Sequence, residues 1–281
     1  NLENPSTFVE AMTKAQAEDA KFQVSWGPET LGYFISFNYS LGVGINDERD
    51  TAVRELFRDV RFRRALSQAM DREGITQAIM RGPFLRPWPG GIYPGSPEFT
   101  KESVVYYPYS VDTAKALLAE LGLKDTDNNG ILNWTTGSQA GQDVILSMSA
   151  SQDAIETVNI AEALVNQFAA VGIKINMRPK TSDALTDENQ SGQWDLNVTR
   201  GGQSFALPNT RCDELAPITK ANPSWHREGD QPRQLQPFEE ELNQIVTVYC
   251  TETDLAKRKE LMAQYNKIFT ENVYNIGVFI G

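Results

Sequence analysis

Residues 57–72 read FRDVRFRRALSQAMDR and form the most informative stretch of this chain. Asp59 is a good helix N-cap, because its carboxylate accepts hydrogen bonds from the amides of a first helical turn. Apolar side chains then recur at helical spacing, with arginines on the other flank. These apolar residues are Ala65, Leu66, Ala69 and Met70. The stretch therefore predicts an amphipathic helix that starts after Asp59.

The order of residues in this stretch is more specific than the helix alone. It resembles the signature PF-x-D-x-R-V-R-x-A-L-x-x-A-I-D-R of the family 5 extracellular solute-binding proteins, the receptors of oligopeptide, dipeptide and nickel ABC importers. Four further segments resemble that family in the same order, at residues 34–38, 94–97, 112–122 and 164–175. Any one segment alone is a weak sign, and the ordered set is a strong one.

The resemblance implies an α/β fold, a periplasmic-binding-protein-like lobe with a mixed sheet flanked by helices. Family members are longer and have two lobes, and the matching segments belong to the second lobe. We therefore expect residues 1–281 to form one lobe of a two-lobed receptor, with residues near both ends close to the hinge. The absence of an initial methionine, signal peptide or lipoprotein cysteine is consistent with an excised lobe.

Hydrophobic periodicity predicts the main elements independently of the resemblance. Residues 1–25 are helical in pattern, and residues 33–39 are rich in strand formers. From residue 143 the pattern is strand, helix, strand, over residues 144–149, 155–171 and 173–177, so that the two strands should be parallel. A further strand is predicted at residues 194–199, and two helices should close the chain.

Composition and charge exclude some partners. The chain is 40% hydrophobic and 22% charged, which is ordinary for a globular protein. Its formal net charge of -11 argues against nucleic acid and anionic membrane surfaces as partners. No apolar run reaches the length of a transmembrane helix.

A calcium-like motif lies at residues 125–130, DTDNNG, which match the first six positions of an EF-hand loop. The match fails at the twelfth position, where Thr136 replaces the bidentate glutamate. Asp, Asn and Gly are also the residues that turns select. We therefore interpret the loop as structural, with weak calcium binding as the alternative.

Catalytic signatures are missing from the sequence. His226 is the only histidine, and its Pro-rich surroundings predict a surface loop. The run Glu239-Glu240-Glu241 is interpreted as a solvated helix start.

Cys212 and Cys250 allow three interpretations: inert buried thiols, one nucleophile, or a pair. The exported location that the resemblance implies favours the pair, a disulfide.

The best candidate for ligand binding is the segment 194–211, WDLNVTRGGQSFALPNTR, in which a strand runs into a glycine-rich polar loop. In peptide-binding relatives an aspartate in this stretch holds the α-ammonium group of the peptide, and here Ser204 lies near its place. Polar and cationic side chains suit amides, sugar hydroxyls or an anion instead, and aromatic rings such as Tyr93 suit sugar stacking. The predicted ligand-binding residues are Trp88, Trp194, Arg200, Gln203, Ser204, Phe205, Asn209 and Arg211.

The resemblance implies a substrate-binding subunit of an ABC importer, monomeric and periplasmic, without cofactor, metal site or catalysis. Such a protein captures a solute in the cleft between two lobes and delivers it to a membrane permease. An oligopeptide is the default solute because such solutes dominate the family. An oligosaccharide is the alternative, since residues 223–226 and 271–277 resemble the sugar-binding branch. A hydrolase lobe that uses acidic residues is a remote alternative.

Overall fold

The computed structural model describes residues 5–25, 27–79 and 85–281, with the side chains described from residue 10 onward. The helices are α1 (Pro5–Ala15), α2 (Glu48–Arg58), α3 (Val60–Ala69), α4 (Arg72–Ile79), α5 (Val111–Glu120), α6 (Ile155–Ala169), α7 (Ser182–Ser191), α8 (Gln203–Ala206), α9 (Pro237–Tyr249) and α10 (Leu255–Glu271). The strands are β1 (Gly32–Phe37), β2 (Arg86–Pro87), β3 (Ile145–Ser151), β4 (Lys174–Lys180), β5 (Leu196–Gly201) and β6 (Asn275–Ile280). The predicted α/β class is confirmed.

The strands form one mixed sheet in the order β2-β6-β1-β5-β3-β4. β3 pairs in parallel with β4 and β5, as the strand-helix-strand pattern predicts, and β1 pairs antiparallel with β5 and β6. The strands β3, β4, β5 and β6 therefore all end at one end of the sheet. β1 and β2 begin there, because Gly32 pairs with Gly201 and Ile280, and Arg86 pairs with Ile280. We call this the carboxyl end of the sheet.

The helix predicted from residues 57–72 is present as α3. Its N-cap is Asp59, whose side chain accepts a hydrogen bond from the Arg61 amide at 2.9 Å. The predicted apolar stripe is buried, but the expectation that the arginines lie on the outer flank is wrong for Arg63 and Arg72, which are 1% and 2% exposed. Arg63 donates to the carbonyl oxygens of Phe57 at 2.7 Å and Asn272 at 2.8 Å. Buried guanidinium groups thus satisfy carbonyls that the fold leaves without backbone partners.

The two faces of the sheet differ in chemistry. Residues that pair directly across neighbouring strands point to the same face. On one face an apolar row crosses the sheet, and its members are Ile276, Ile35, Val198 and Ala150. On the other face a polar row crosses five strands, and its members are Asn275, Ser36, Asn197, Ser149 and Arg178. The apolar face packs against α6, whereas the polar face is bridged to α7 by the Asn197–Asn189 hydrogen bond of 3.3 Å.

Two surface expectations are wrong, one for the loop before α9 and one for the first turn of α9. His226 and Glu239 are both 0% exposed, and His226 Nδ1 lies 2.5 Å from Glu239 Oε1. Glu239 also accepts hydrogen bonds from the Tyr274 hydroxyl at 2.6 Å and from the Gln236 amide at 2.8 Å. The carboxylate is therefore buried because three donors satisfy it, while the following Glu240 and Glu241 remain exposed.

The calcium-like loop uses most of its side-chain oxygens internally, whereas Asp125 Oδ1 is buried without a hydrogen-bond partner. The Asp125 carboxylate accepts from the Gly130 amide at 3.0 Å, and Asp127 accepts from the Asn129 amide at 3.2 Å. The Asn129 side-chain amide donates to Asp127 and to Asp143. This pattern is that of an Asx-rich turn, and a structural role for the loop remains a prediction.

The predicted disulfide is confirmed. Cys212 and Cys250 are bonded, with their Cα atoms 5.7 Å apart. The bond joins the loop after α8 to the last turn of α9.

Candidate ligand-binding site

The carboxyl end of the sheet brings together loops from distant parts of the chain. The amide of Leu31 donates to the Gly281 carbonyl at 3.0 Å, and the Gly281 amide donates back to the Leu31 carbonyl at 3.0 Å. The segments before β1 and after β6 therefore run side by side here. In open α/β sheets, ligands bind outside the carboxyl ends of strands where neighbouring connections diverge.

The end of β5 is shaped by two glycines and a buried tyrosine. Gly201 and Gly202 have φ angles of +124° and +85°, a conformation that side chains with a Cβ rarely adopt. The Tyr93 hydroxyl donates to the Gly201 carbonyl. A Cβ at Gly202 would lie 2.5 Å from that hydroxyl, so only glycine fits this close approach. The turn directs the chain from β5 into the short helix α8.

Polar residues of the predicted segment lie at this turn. Arg200 is half-buried at the end of β5, and Gln203 is exposed at the start of α8. Asn209 is also exposed, and Arg211 forms an ion pair with Glu214 at 2.6 Å. Arg200 and Gln203 are therefore the predicted residues that the structure places most directly at the carboxyl end of the sheet.

Other predicted residues lie in the core. Trp88, Phe205 and Ser204 are 2%, 1% and 5% exposed. The Trp88 ring packs edge-on against Tyr93, with ring centroids 4.8 Å apart, and Phe205 packs against both rings. These aromatic side chains support the β5 turn from beneath instead of lining its surface.

Trp194 is separated from the other predicted residues. It precedes β5, whereas Gly201 ends that strand, and seven residues of extended chain span roughly 20 Å. Trp194 is 3% exposed at the opposite end of the sheet. The expectation that it shares a site with Arg200 and Gln203 is wrong, because a strand carries its two ends to opposite sides of the sheet.

The loops after β3 and β4 are part of the same end of the sheet and were missed by the sequence prediction. Gln152 and Asp153 follow β3, and Ser182 begins α7 after β4. The Asp153 carboxylate accepts from the Ser182 amide and hydroxyl, both at 2.7 Å, and these bonds lower the pKa of Asp153. The predicted strand-helix-strand pattern carried this signal, because parallel strands end on the same side.

Apolar side chains are also exposed here. Ile155, at the start of α6, is 57% exposed, and Leu207, just after α8, is 43% exposed. Ile155 follows the polar residue Gln152 closely in the sequence, and Leu207 follows Gln203 in the same way. The resulting surface combines amide groups with apolar side chains, which is the chemistry of sites for uncharged polar solutes.

Within the described ranges, no group of three or more His, Cys, Asp or Glu side chains has the geometry to hold a metal ion. In the same part of the chain, no helix has both the length and the apolar character needed to cross a membrane.

A mixed α/β sheet with polar loops at its carboxyl end, beside the paired segments around Leu31 and Gly281, is the architecture of a lobe of the periplasmic-binding-protein type. The sequence of residues 6–221 matches the family model of the bacterial extracellular solute-binding proteins, family 5 Middle. The chain belongs to this family.

Individual relatives agree with this assignment. The chain is 36% identical over 281 residues to the periplasmic alpha-galactoside-binding protein of Rhizobium meliloti strain 1021, covering 99% of this chain and 40% of that protein. It superposes on the periplasmic binding protein MelB of Agrobacterium fabrum C58, solved in complex with stachyose, with a TM-score of 0.95 and 35% identity. The superposition covers 100% of this chain and 42% of MelB. This chain is also 28% identical over 158 residues to the oligopeptide-binding protein AppA of Bacillus subtilis strain 168. The match covers 54% of this chain and 27% of AppA.

The chain thus spans about 40% of the length of the alpha-galactoside-binding relative. Its family and its relatives are solute-binding proteins.

Proposed function

We propose that this chain is one lobe of a periplasmic receptor that captures an oligosaccharide, specifically an α-galactoside, for an ABC importer. The observation that carries the proposal is the likeness to two saccharide-binding proteins over essentially the whole chain, at 36% and 35% identity. The likeness to the peptide-binding protein AppA is lower in identity and covers 54% of the chain. We therefore favour the oligosaccharide over the oligopeptide that the sequence analysis took as its default.

The geometry of the β5 turn supports an uncharged ligand. Ser204 lies near the place of the aspartate that holds the peptide in peptide-binding relatives, and it is 5% exposed. A free peptide amino terminus then lacks a carboxylate at this position. Gln152 and Gln203, both exposed, each supply donor and acceptor atoms for sugar hydroxyls.

The proposed partners follow from this role. A second lobe would complete the cleft, with the paired segments around Leu31 and Gly281 forming the connection between lobes. The closed receptor would then deliver its sugar to a membrane permease. A monomeric receptor in the periplasm, without catalytic activity, is part of this proposal.

Calorimetric titration of the full-length receptor with stachyose and with a mixed pool of short peptides tests the proposal. We expect saturable binding of stachyose and none of the peptides. Gln203→Ala should weaken stachyose binding about tenfold, as loss of one well-placed hydrogen bond does. Gln139→Ala, in the loop before β3 at the opposite end of the sheet, is the matched control and should leave the affinity unchanged. Peptide binding without stachyose binding would refute the proposal.

A further inference from the structure

One buried carboxylate at the carboxyl end of the sheet differs from the other buried carboxylates of this chain. Glu156 lies in the first turn of α6 and is 7% exposed. Its side chain forms no hydrogen bond and no ion pair with any described residue. Neither of its oxygens is fully enclosed by protein atoms, so the group reaches the surface through a narrow opening.

The other buried acidic side chains of the described residues all have partners. Lys180 Nζ, for example, lies 2.7 Å from Glu188 Oε1. The paired carboxylates are those of Glu98, Glu188, Asp195 and Glu239. A carboxylate that is removed from water without a partner costs free energy. Glu156 is therefore the buried acid whose acceptor positions remain open to a molecule from outside.

The fold places this carboxylate beside the proposed sugar site. Glu156 shares a buried face of α6 with Ile160 and Leu164, and α6 packs against β3, β4 and β5. Because α6 follows the end of β3 directly, the first turn of this face lies at the carboxyl end of the sheet. The Thr157 hydroxyl donates to the Ser151 carbonyl at 2.8 Å and fixes this turn to β3. The carboxylate is thus presented by regular elements in a fixed position.

Helix electrostatics do not by themselves explain why Glu156 is buried. The partial positive charge of a helix N-terminus favours a carboxylate in the first turn. An exposed side chain gains the same benefit, as Asp183 does in the first turn of α7. Glu156 instead takes the sheet-facing side, where the next residues along the stripe are apolar.

We propose that Glu156 is a ligand-binding residue of the sugar site and accepts hydrogen bonds from hydroxyl groups of the bound saccharide. This inference rests on the proposed function. A carboxylate has about four lone-pair sites and no donor, so that it can accept from two neighbouring hydroxyls at once. Such charge-assisted bonds are stronger than those between neutral groups. Water fills these positions in the empty receptor, and the sugar hydroxyls replace it.

The negative charge also sets a preference among ligands. An ionised carboxylate with little access to water repels a second carboxylate, which water screens poorly at such a site. Glu156 therefore favours a neutral saccharide over a sugar acid of similar size.

Calorimetric titration of the full-length receptor with stachyose tests the role of Glu156. Glu156→Gln keeps the size of the side chain and removes its charge, and it should weaken stachyose binding at least about tenfold. Glu162→Gln is the matched control, because Glu162 is exposed on the same helix and the change in charge is the same. This control should bind stachyose as wild type does. Digalacturonic acid, a sugar acid, should bind to wild type more weakly than stachyose.

Thermal unfolding of the ligand-free proteins separates binding from structure. Removing an unpaired buried charge should leave the melting temperature of Glu156→Gln equal to that of wild type or higher. A lower melting temperature with unchanged stachyose affinity would overturn the proposal and assign Glu156 a structural role. Equal binding of digalacturonic acid and stachyose to wild type would also overturn it. If wild type itself fails to bind stachyose, the proposed function is refuted and this inference with it.

Discussion

At the scale of single residues, this protein is distinguished by buried charges that are held by several partners. Arg54, Arg63, Arg72, Asp195 and Glu239 are each at most 2% exposed. Each has hydrogen-bond partners from distant parts of the chain, which offset the loss of water. Removing one partner leaves a buried charge unpaired, and this makes such residues the most sensitive positions to test.

Asp195→Asn tests this view at the residue with the most donors. Leaving the buried Arg54 without its counter-charge should lower the free energy of unfolding by about 3 kcal/mol at neutral pH. Asp153→Asn is the control, because Asp153 is exposed and its partner is the uncharged Ser182. Urea unfolding of both variants measures the difference. A loss at Asp195 no larger than that at Asp153 would show that the pair contributes little.

The same carboxylate predicts a pH dependence. Burial by itself would raise the pKa of Asp195, but hydrogen bonds and charges from Arg49, with help from Ser147 and Arg54, bring it below its ordinary value of 3.8. A carboxyl group with a lowered folded pKa stabilises the protein above its unfolded pKa, and this contribution disappears as the pH falls through the folded pKa. The stability difference between wild type and Asp195→Asn should therefore be full above about pH 5 and shrink below about pH 4.

At the scale of elements, the sheet determines which loops meet. The alternation in β3, Ile-Leu-Ser-Met-Ser-Ala-Ser, places Leu146, Met148 and Ala150 on the apolar face and Ser147 and Ser149 on the polar face. A one-residue change of register would exchange the two faces. The alternation thus specifies the pairing, and the pairing brings the loops after β3, β4 and β5 to the same end.

The disulfide restrains the long irregular segment between α8 and α9. Residues 213–233 contain only turns and short 3-10 helices. They are anchored by the buried Leu215 and Ala216 and by hydrogen bonds from Arg233 to carbonyl oxygens. The double variant Cys212→Ser/Cys250→Ser should unfold with a free energy lower by about 3 to 4 kcal/mol, from the entropy of the opened 38-residue loop.

Urea unfolding of oxidised wild type, reduced wild type and the double variant measures this difference. Reduced wild type and the variant should agree within error. A variant as stable as oxidised wild type would mean that the anchors around Leu215 hold the segment without the bond.

At the scale of the whole molecule, the proposed sugar site is one wall of a cleft. Ligand pockets bury most of a bound ligand, and the carboxyl end of this sheet offers a single surface. We expect this chain to bind stachyose at least about 100-fold more weakly than the full-length receptor, because half the contacts and the exclusion of water are lost. Parallel calorimetric titrations measure both affinities. Equal affinities would mean that this chain contains the complete site.

The sequence by itself determined the class of fold, the parallel β3–β4 pair, the Asp59 cap and the disulfide partners. These features depend on local signals, such as periodicity, capping residues and the count of cysteines, or on an ordered resemblance to a family. The helix α7 and the strand β2 were not predicted, since α7 is polar with a weak apolar stripe and β2 has two residues.

Only the tertiary structure decided which predicted site residues share a surface. Trp194 and Gln203 lie nine positions apart in the sequence, yet the intervening strand carries them to opposite ends of the sheet. Glu239 and Glu240 are neighbours, but only Glu239 faces His226 and Tyr274 and is buried. Composition and spacing could not separate these cases, because burial and proximity depend on long-range pairing.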